Sequence, residues 1–398
     1  MDRREFLKAA AGTSVMAACP LKGNAVCTSA AAPPKQYTAG PKARVILAGV
    51  TRGAAAQDLK LAVRLAAEKA TDFSWLSRGD TVFIKPVVNS GNPYPATTSP
   101  LAVAAMIELL RAKGAGRVIV GDMSGVEYVR FTADSLSGST RKLMESSGMA
   151  TLVKASDAEL QCFEEAGWKA FYEDSPTAGS HWKKALLMPS ILKEVQHIVL
   201  MPRCARHVLA GNTLGLKAAV GYWRHDTRLE YHRDAATLHE KTAEGNTVET
   251  LLKKQRLVVS AAEKILATFG PDEGYVLEPT TGLVIASESV TAHDMVSLAW
   301  LLENRMNMPE SKQGGFMDTS TIVPRVGNHM VVNWLGGMGE ALASDRLIKN
   351  PLNSIWDDRV LNRAYEIFGG VPGITFEAAD SLISEDLMKK LGDMTVLK

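Results

Sequence analysis

Thr81-Val82-Phe83-Ile84, Ser99-Pro100 and Val118-Ile119-Val120 are the stretches whose reading decides the fold. The first and last are short apolar runs of the kind that form strands buried on both faces. Between them Ser99 can cap a helix and Pro100 suits its first turn. That helix runs through Ala102, Ile107, Leu109 and Leu110, and Gly114 can close it. Working outward, Val45-Ile46-Leu47 reads as a strand. From Asp58, the residues Leu59, Ala62, Val63, Ala66 and Ala67 share one helical face. His197-Ile198-Val199-Leu200-Met201 is another buried strand. Leu283-Val284-Ile285-Ala286 is a strand leading into a helix over 290–304 that Ser289 can cap. A long helical pattern is predicted from Thr247 to about Thr268. A further helix is predicted over 355–368, ended by Gly369-Gly370. Residues 125–185 mix polar and aromatic types and are expected to form an inserted or lid-like segment. Strands alternating with helices predict an α/β fold, a mostly parallel sheet with helices on both faces and room for two lobes around a cleft.

The chain has 398 residues, 46% apolar and 22% charged, as in ordinary globular proteins. Four basic and two acidic residues among the first 22 account for the whole net charge of +2. The remaining body is near neutral and has no field to draw nucleic acid. No internal stretch is long and apolar enough to span a membrane. The opening, Met1-Asp2-Arg3-Arg4-Glu5-Phe6-Leu7-Lys8, resembles a twin-arginine export signal. An apolar run over 9–18 and the small residues Thr28-Ser29-Ala30-Ala31-Ala32 complete its zones. Residues 1–32 are therefore expected to be a signal peptide, 33–42 a linker and 43–398 the α/β domain. The twin-arginine export machinery is the expected partner and the periplasm the expected location. Met16-Ala17-Ala18-Cys19 is a weak lipoprotein box, which leaves lipid anchoring at Cys19 as a second option. Of four cysteines, Cys162 and Cys204 stay in the body, where two isolated buried thiols are expected and a disulfide between them in an oxidising periplasm is the alternative. No Cys-x-x-Cys occurs, so no iron–sulfur cluster is expected.

Several segments in order resemble the family known as domain of unknown function 362. They are Ile84-Lys85-Pro86-Val87-Val88-Asn89 with Ala96-Thr97-Thr98-Ser99-Pro100, Val118 to Gly125, Pro202 to His207 with Leu209 to Lys217, Arg228 with His232, and Ala286 to Asp294. The resemblance covers about residues 80–300. It implies an α/β fold and a site, without a reaction. Val87 stands where the family has Asn, Ser289 where Asp is common, and Arg203, Ala205 and Arg206 where Lys, Lys and Thr are usual.

In open α/β sheets ligands gather at the carboxyl ends of parallel strands. Lys85 and Asn89 follow one predicted strand, Asp122 and Ser124 a second, and Arg203 and His207 a third. If these ends share a crevice, Lys85, Arg203, Lys217 and nearby amides favour a small anionic molecule. His207 is the leading acid–base or metal-ligand candidate, kept neutral by neighbouring cations. Asp294 is the second catalytic candidate, through its family match. His225, His232 and His239 recur every seven residues, about 10 Å apart on a helix. That is too far to share one metal ion. His232 and Arg228, one turn apart, can point together at a ligand. The cofactor and any metal stay open. An exported enzyme is the first reading, and a non-catalytic solute- or cofactor-binding protein the second.

Overall fold

A computed structural model describes residues 37–178, 181–207, 209–233, 237–268, 270, 272, 274–317 and 352–397. The expected signal peptide, with Cys19, lies outside them. Tyr37–Lys398 make one compact unit. Its centre is an eight-stranded sheet formed by β1 (Ala39–Thr51), β2 (Thr81–Pro86), β3 (Arg117–Asp122), β4 (Glu159–Cys162), β5 (His197–Met201), β6 (Gln255–Ala262), β7 (Thr281–Ser287) and β8 (Val371–Ala378). The order across the sheet is β8-β1-β7-β6-β5-β2-β3-β4. Only β7 runs antiparallel to its neighbours, β1 and β6. Every other pairing is parallel.

The strands are apolar on both sides because both faces are covered. Ile46, Val82, Ile84, Val120, Val199 and Val259 point to the face packed by helices α1 (Ala56–Ala70) and α2 (Pro100–Ala112). Their neighbours in sequence point the other way. Leu47, Leu200, Val258 and Ile285 meet α3 (Val290–Asn304), while Phe83, Ile119 and Ile198 meet an aromatic cluster with Tyr222, Trp223 and Tyr231. Ser99 Oγ accepts from Ala102 N at 3.3 Å, and Ser289 Oγ from Ala292 N at 3.2 Å. Both predicted caps are therefore in place.

The structure differs from the sequence expectations in three places. Residues 247–268 are not one helix. A helix over Glu249–Lys254 gives way to β6, where Leu257-Val258-Val259 is buried on both faces between β5 and β7. β-Branched residues stiff at χ1 favour that strand. Residues 125–185 are more than a lid, since they supply the edge strand β4 and a hairpin of Phe171–Asp174 with Leu186–Pro189. The stretch read as a linker already contains Ala39, which begins β1 and pairs with Val371. Among the described residues, no helix is long and apolar enough to cross a membrane.

Past the carboxyl end of β5 the chain makes a small sheet of Ala205–His207, Gly211–Thr213, Ile265–Leu266 and Val276–Leu277. Between its last two strands, Asp272 accepts from Asn89 and Tyr128, in the segments that follow β2 and β3. Ile285 is fully buried in the central antiparallel strand. Ile285→Ala is expected to cost about 2–5 kcal/mol, read as a lowered urea midpoint with unchanged slope.

Candidate functional site

The order β5-β2-β3 makes the three predicted strand ends neighbours. Lys85 leaves β2 and Asp122 ends β3. Their side chains meet at 2.8 Å with essentially no exposure to solvent. Lys85 Nζ also donates to Pro86 O at 2.7 Å and lies 5.2 Å from the Tyr222 ring centre. Asp122 accepts from Val88 N at 2.7 Å and Met123 N at 2.9 Å. Burial pulls the Lys85 pKa down and Asp122 opposes that pull. Gly221 lies against the pair. A Cβ there would fall 2.1 Å from Asp122 Oδ1 and 2.3 Å from Lys85 Nζ.

Arg228 braces this floor. Its guanidinium donates to the carbonyls of Trp223, Ser124, Met123 and Gly221 at 2.6–2.8 Å. Burial brings its pKa down to about 10. The sequence expectation that Arg228 and His232 point together at a ligand is thus corrected, because the Arg228 head is committed to backbone oxygens. Asn89 donates to Asp272 Oδ1 at 2.7 Å, and Tyr128 donates to Asp272 Oδ2 at 2.9 Å. Arg203 donates to Ala96 O and, at 3.4 Å, to Thr213 Oγ1. Burial lowers its pKa to about 10, against the opposing charge of Asp272.

Asp294 also works on backbone. Its carboxylate accepts from Gly215 N and Leu216 N, both at 2.7 Å, at the start of the helical turn Gly215–Ala218 that carries Lys217. His293 Nδ1 lies 2.9 Å from Asp294 Oδ1, and His293 Nε2 lies 2.9 Å from Ser260 Oγ. All three side chains are buried. The geometry gives Asp294 a positioning role in place of the acid–base role expected from sequence.

Among the candidate side chains, His207, His232 and Lys217 each present a nitrogen that no described residue bonds. His207 Nδ1 accepts from Leu209 N at 3.0 Å and Ala210 N at 3.3 Å, so the neutral ring carries its proton on Nε2. His232 Nδ1 lies 2.8 Å from Arg228 O, which can only accept, so its Nε2 keeps the lone pair. Lys217 Nζ sits 5.4 Å from the Tyr231 ring centre and has no carboxylate in ion-pair reach among the described residues. Burial, then Lys217 and Arg203, holds the His207 pKa well below the usual histidine value. Burial and Lys217 bring His232 down to about 3. Burial and the charges of Arg203, Arg228 and Lys85 bring Lys217 down to about 7. Ser124 Oγ is fully buried with no hydrogen-bond partner among the described residues.

Residues 82–299 match the family described as Domain of unknown function (DUF362), which is more than half of the 398 residues. The chain belongs to the DUF362 family. The DUF362 match contains every candidate side chain named above. Among curated proteins no match is found. The lactate racemase apoprotein of Thermoanaerobacterium thermosaccharolyticum is similar at 11% identity and a TM-score of 0.36, over 61% of this chain and 54% of that one. A Thermotoga maritima protein from structural genomics is similar at 11% identity and 0.35, over 58% and 54%. This chain therefore spans about half the length of both.

Sequence reasoning missed Gly221, Tyr222, Tyr231, Asp272, His293 and Ser260. The run Ala219-Val220-Gly221-Tyr222-Trp223 carried a signal, a glycine beside large aromatics just after Lys217. Of the seven-residue histidines, His225 and His232 share the helix His225–Arg233, while His239 belongs to Leu238–Glu244. Among the described residues, no group of three His, Cys, Asp or Glu could hold a metal ion. Cys162 and Cys204 are buried free thiols. Gly221→Ala is expected to destabilise the protein by about 1–3 kcal/mol through overpacking. A thermal melt would check this, and an unchanged midpoint would show that the Lys85–Asp122 floor yields freely.

Proposed function

We propose that this DUF362 protein binds a small anionic molecule over the ends of β2, β3 and β5 and acts on it as an enzyme. The observation that carries the reading is Lys217, a cation beside Lys85, Arg203 and Arg228 with no acid partner among the described residues. An anion entering there relieves repulsion among like charges. His207 and His232 favour the enzyme over the solute- or cofactor-binding alternative. One offers a proton at Nε2 and the other a lone pair at Nε2, which is how acid–base chemistry is set up around one substrate. A binder needs only complementary charge.

Calorimetry with pyruvate and inorganic phosphate tests the reading. Lys217→Ala is expected to weaken binding about tenfold, or 1.4 kcal/mol. Lys217 is charged below about pH 7 and neutral above it. Anion affinity should therefore fall as pH rises from 6 to 8. Affinity that is flat in pH and unchanged by Lys217→Ala would remove the reading.

Arg3-Arg4 with Phe6-Leu7-Lys8 supports export by the twin-arginine route to the periplasm. Replacing both arginines by lysine is expected to leave the precursor in the cytoplasm, seen by fractionation and immunoblot. Processing at Cys19 into a lipid-modified form would instead show as detergent partitioning.

A further inference from the structure

We infer that Asn89 and Tyr128 are the carboxylate donors of the anion site, and that Asp272 is an internal carboxylate which a ligand displaces from them. The inference rests on the anion-binding reading and deepens it, from an anion to a carboxylate. Asn89 Nδ2 donates to Asp272 Oδ1 at 2.7 Å, and the Tyr128 hydroxyl donates to Asp272 Oδ2 at 2.9 Å. One donor thus meets each oxygen of a single carboxylate. That carboxylate is buried, with Asp272 3% exposed. The donors come from different connections, Asn89 after β2 and Tyr128 after β3. Both lie at the rim where ligands of such sheets gather. A small carboxylate arriving there meets a donor pair already spaced for its two oxygens.

The pair is held in place without Asp272. Gly125 N donates to Asn89 O at 3.0 Å, and Tyr128 N donates to Gly125 O at 2.8 Å. Gly125 packs so closely that a Cβ there would fall 2.9 Å from Asn89 Oδ1. The two connections are therefore bound to each other through Gly125, and the backbone under both donors is fixed by bonds that do not involve the Asp272 carboxylate.

Asp272 comes from outside the main sheet. It lies between Ile265–Leu266 and Val276–Leu277, strands that pair through two residues each. Its main-chain oxygen accepts from Asn92 Nδ2 at 2.9 Å. That bond already ties the Asp272 backbone to the connection after β2, so the carboxylate is not needed as a clasp. Rotation about the Asp272 Cα–Cβ bond releases Asn89 and Tyr128 while the Asn92 anchor holds. A ligand carboxylate then takes over the two hydrogen bonds, like for like, and no covalent bond changes. The contact is autoinhibitory, since apparent affinity falls with the fraction of molecules in which Asp272 holds the pair.

Calorimetry on the full chain with acetate, pyruvate and inorganic phosphate tests this. Asp272→Ala is expected to raise acetate and pyruvate affinity about tenfold. Adding Asn89→Ala to that variant should remove the gain, the coupling expected of groups that share one ligand. Asp272→Asn keeps the side-chain volume and should raise affinity roughly threefold, so the test stands even where Asp272→Ala fails to fold. Weaker or unchanged binding in the Asp272 variants makes the residue a structural clasp and overturns the inference. A gain that persists with Asn89→Ala, or an equal gain for phosphate, is charge relief alone and overturns it too. Each of these results leaves the anion site standing. No binding of any of the three anions, by the parent chain or by the variants, removes both.

Discussion

The ion pair between Lys85 and Asp122 closes the gap between two adjacent parallel strands, and the rest of the site is built on it. Taking both charges out of water is costly, and attraction alone seldom offsets it. Here further partners offset part of that cost, Pro86 O on one side and Val88 N and Met123 N on the other. Removing one partner would leave a bare buried charge, a loss of about 3–5 kcal/mol. The pair also dictates what can lie above it. Only a glycine fits at position 221, and the Tyr222 ring then covers the ammonium. Arg228 ties the loops after β3 to the segment around Gly221 through four carbonyls. The resulting positive floor is what Lys217 feels.

Much of the fold was legible because it rests on local signals. The runs 81–84, 118–120 and 197–201 are too short and too apolar for surface helices. Ser99 and Ser289 announce helix starts. The stretch 247–268 was misread because a run buried on both faces has no clear period, so apolar residues at helical spacing and a strand look alike. Strand order is non-local and left no mark in the sequence. It is nevertheless what brings Lys85, Asp122 and Arg203 side by side.

The candidate residues were legible as a set, and their division of labour was not. Lys, Arg, Asp and His at strand ends all read as ligand groups. Which of them face a ligand depends on what each has already bonded. Arg228 spends its polar atoms on backbone, Lys85 and Asp122 on each other and on backbone, and Asp294 on backbone and His293, while among the described residues nothing bonds one nitrogen each of His207, His232 and Lys217. Hydrogen-bond accounting of this kind needs the loops placed, which no periodicity supplies.

The buried chain Ser260–His293–Asp294 shows why connectivity alone does not make a catalytic site. Its bonds run in the same order as those of a serine hydrolase, hydroxyl to imidazole to carboxylate. Yet Ser260 lies within β6, 1% exposed, and no carbonyl compound can approach its oxygen without opening the sheet. The chain's consequence lies at its other end. Asp294, fixed by His293, grips the amides of Gly215 and Leu216 and so sets the direction in which the next residue, Lys217, leaves the backbone. A bond network that would elsewhere activate a nucleophile here positions the turn that carries a lysine.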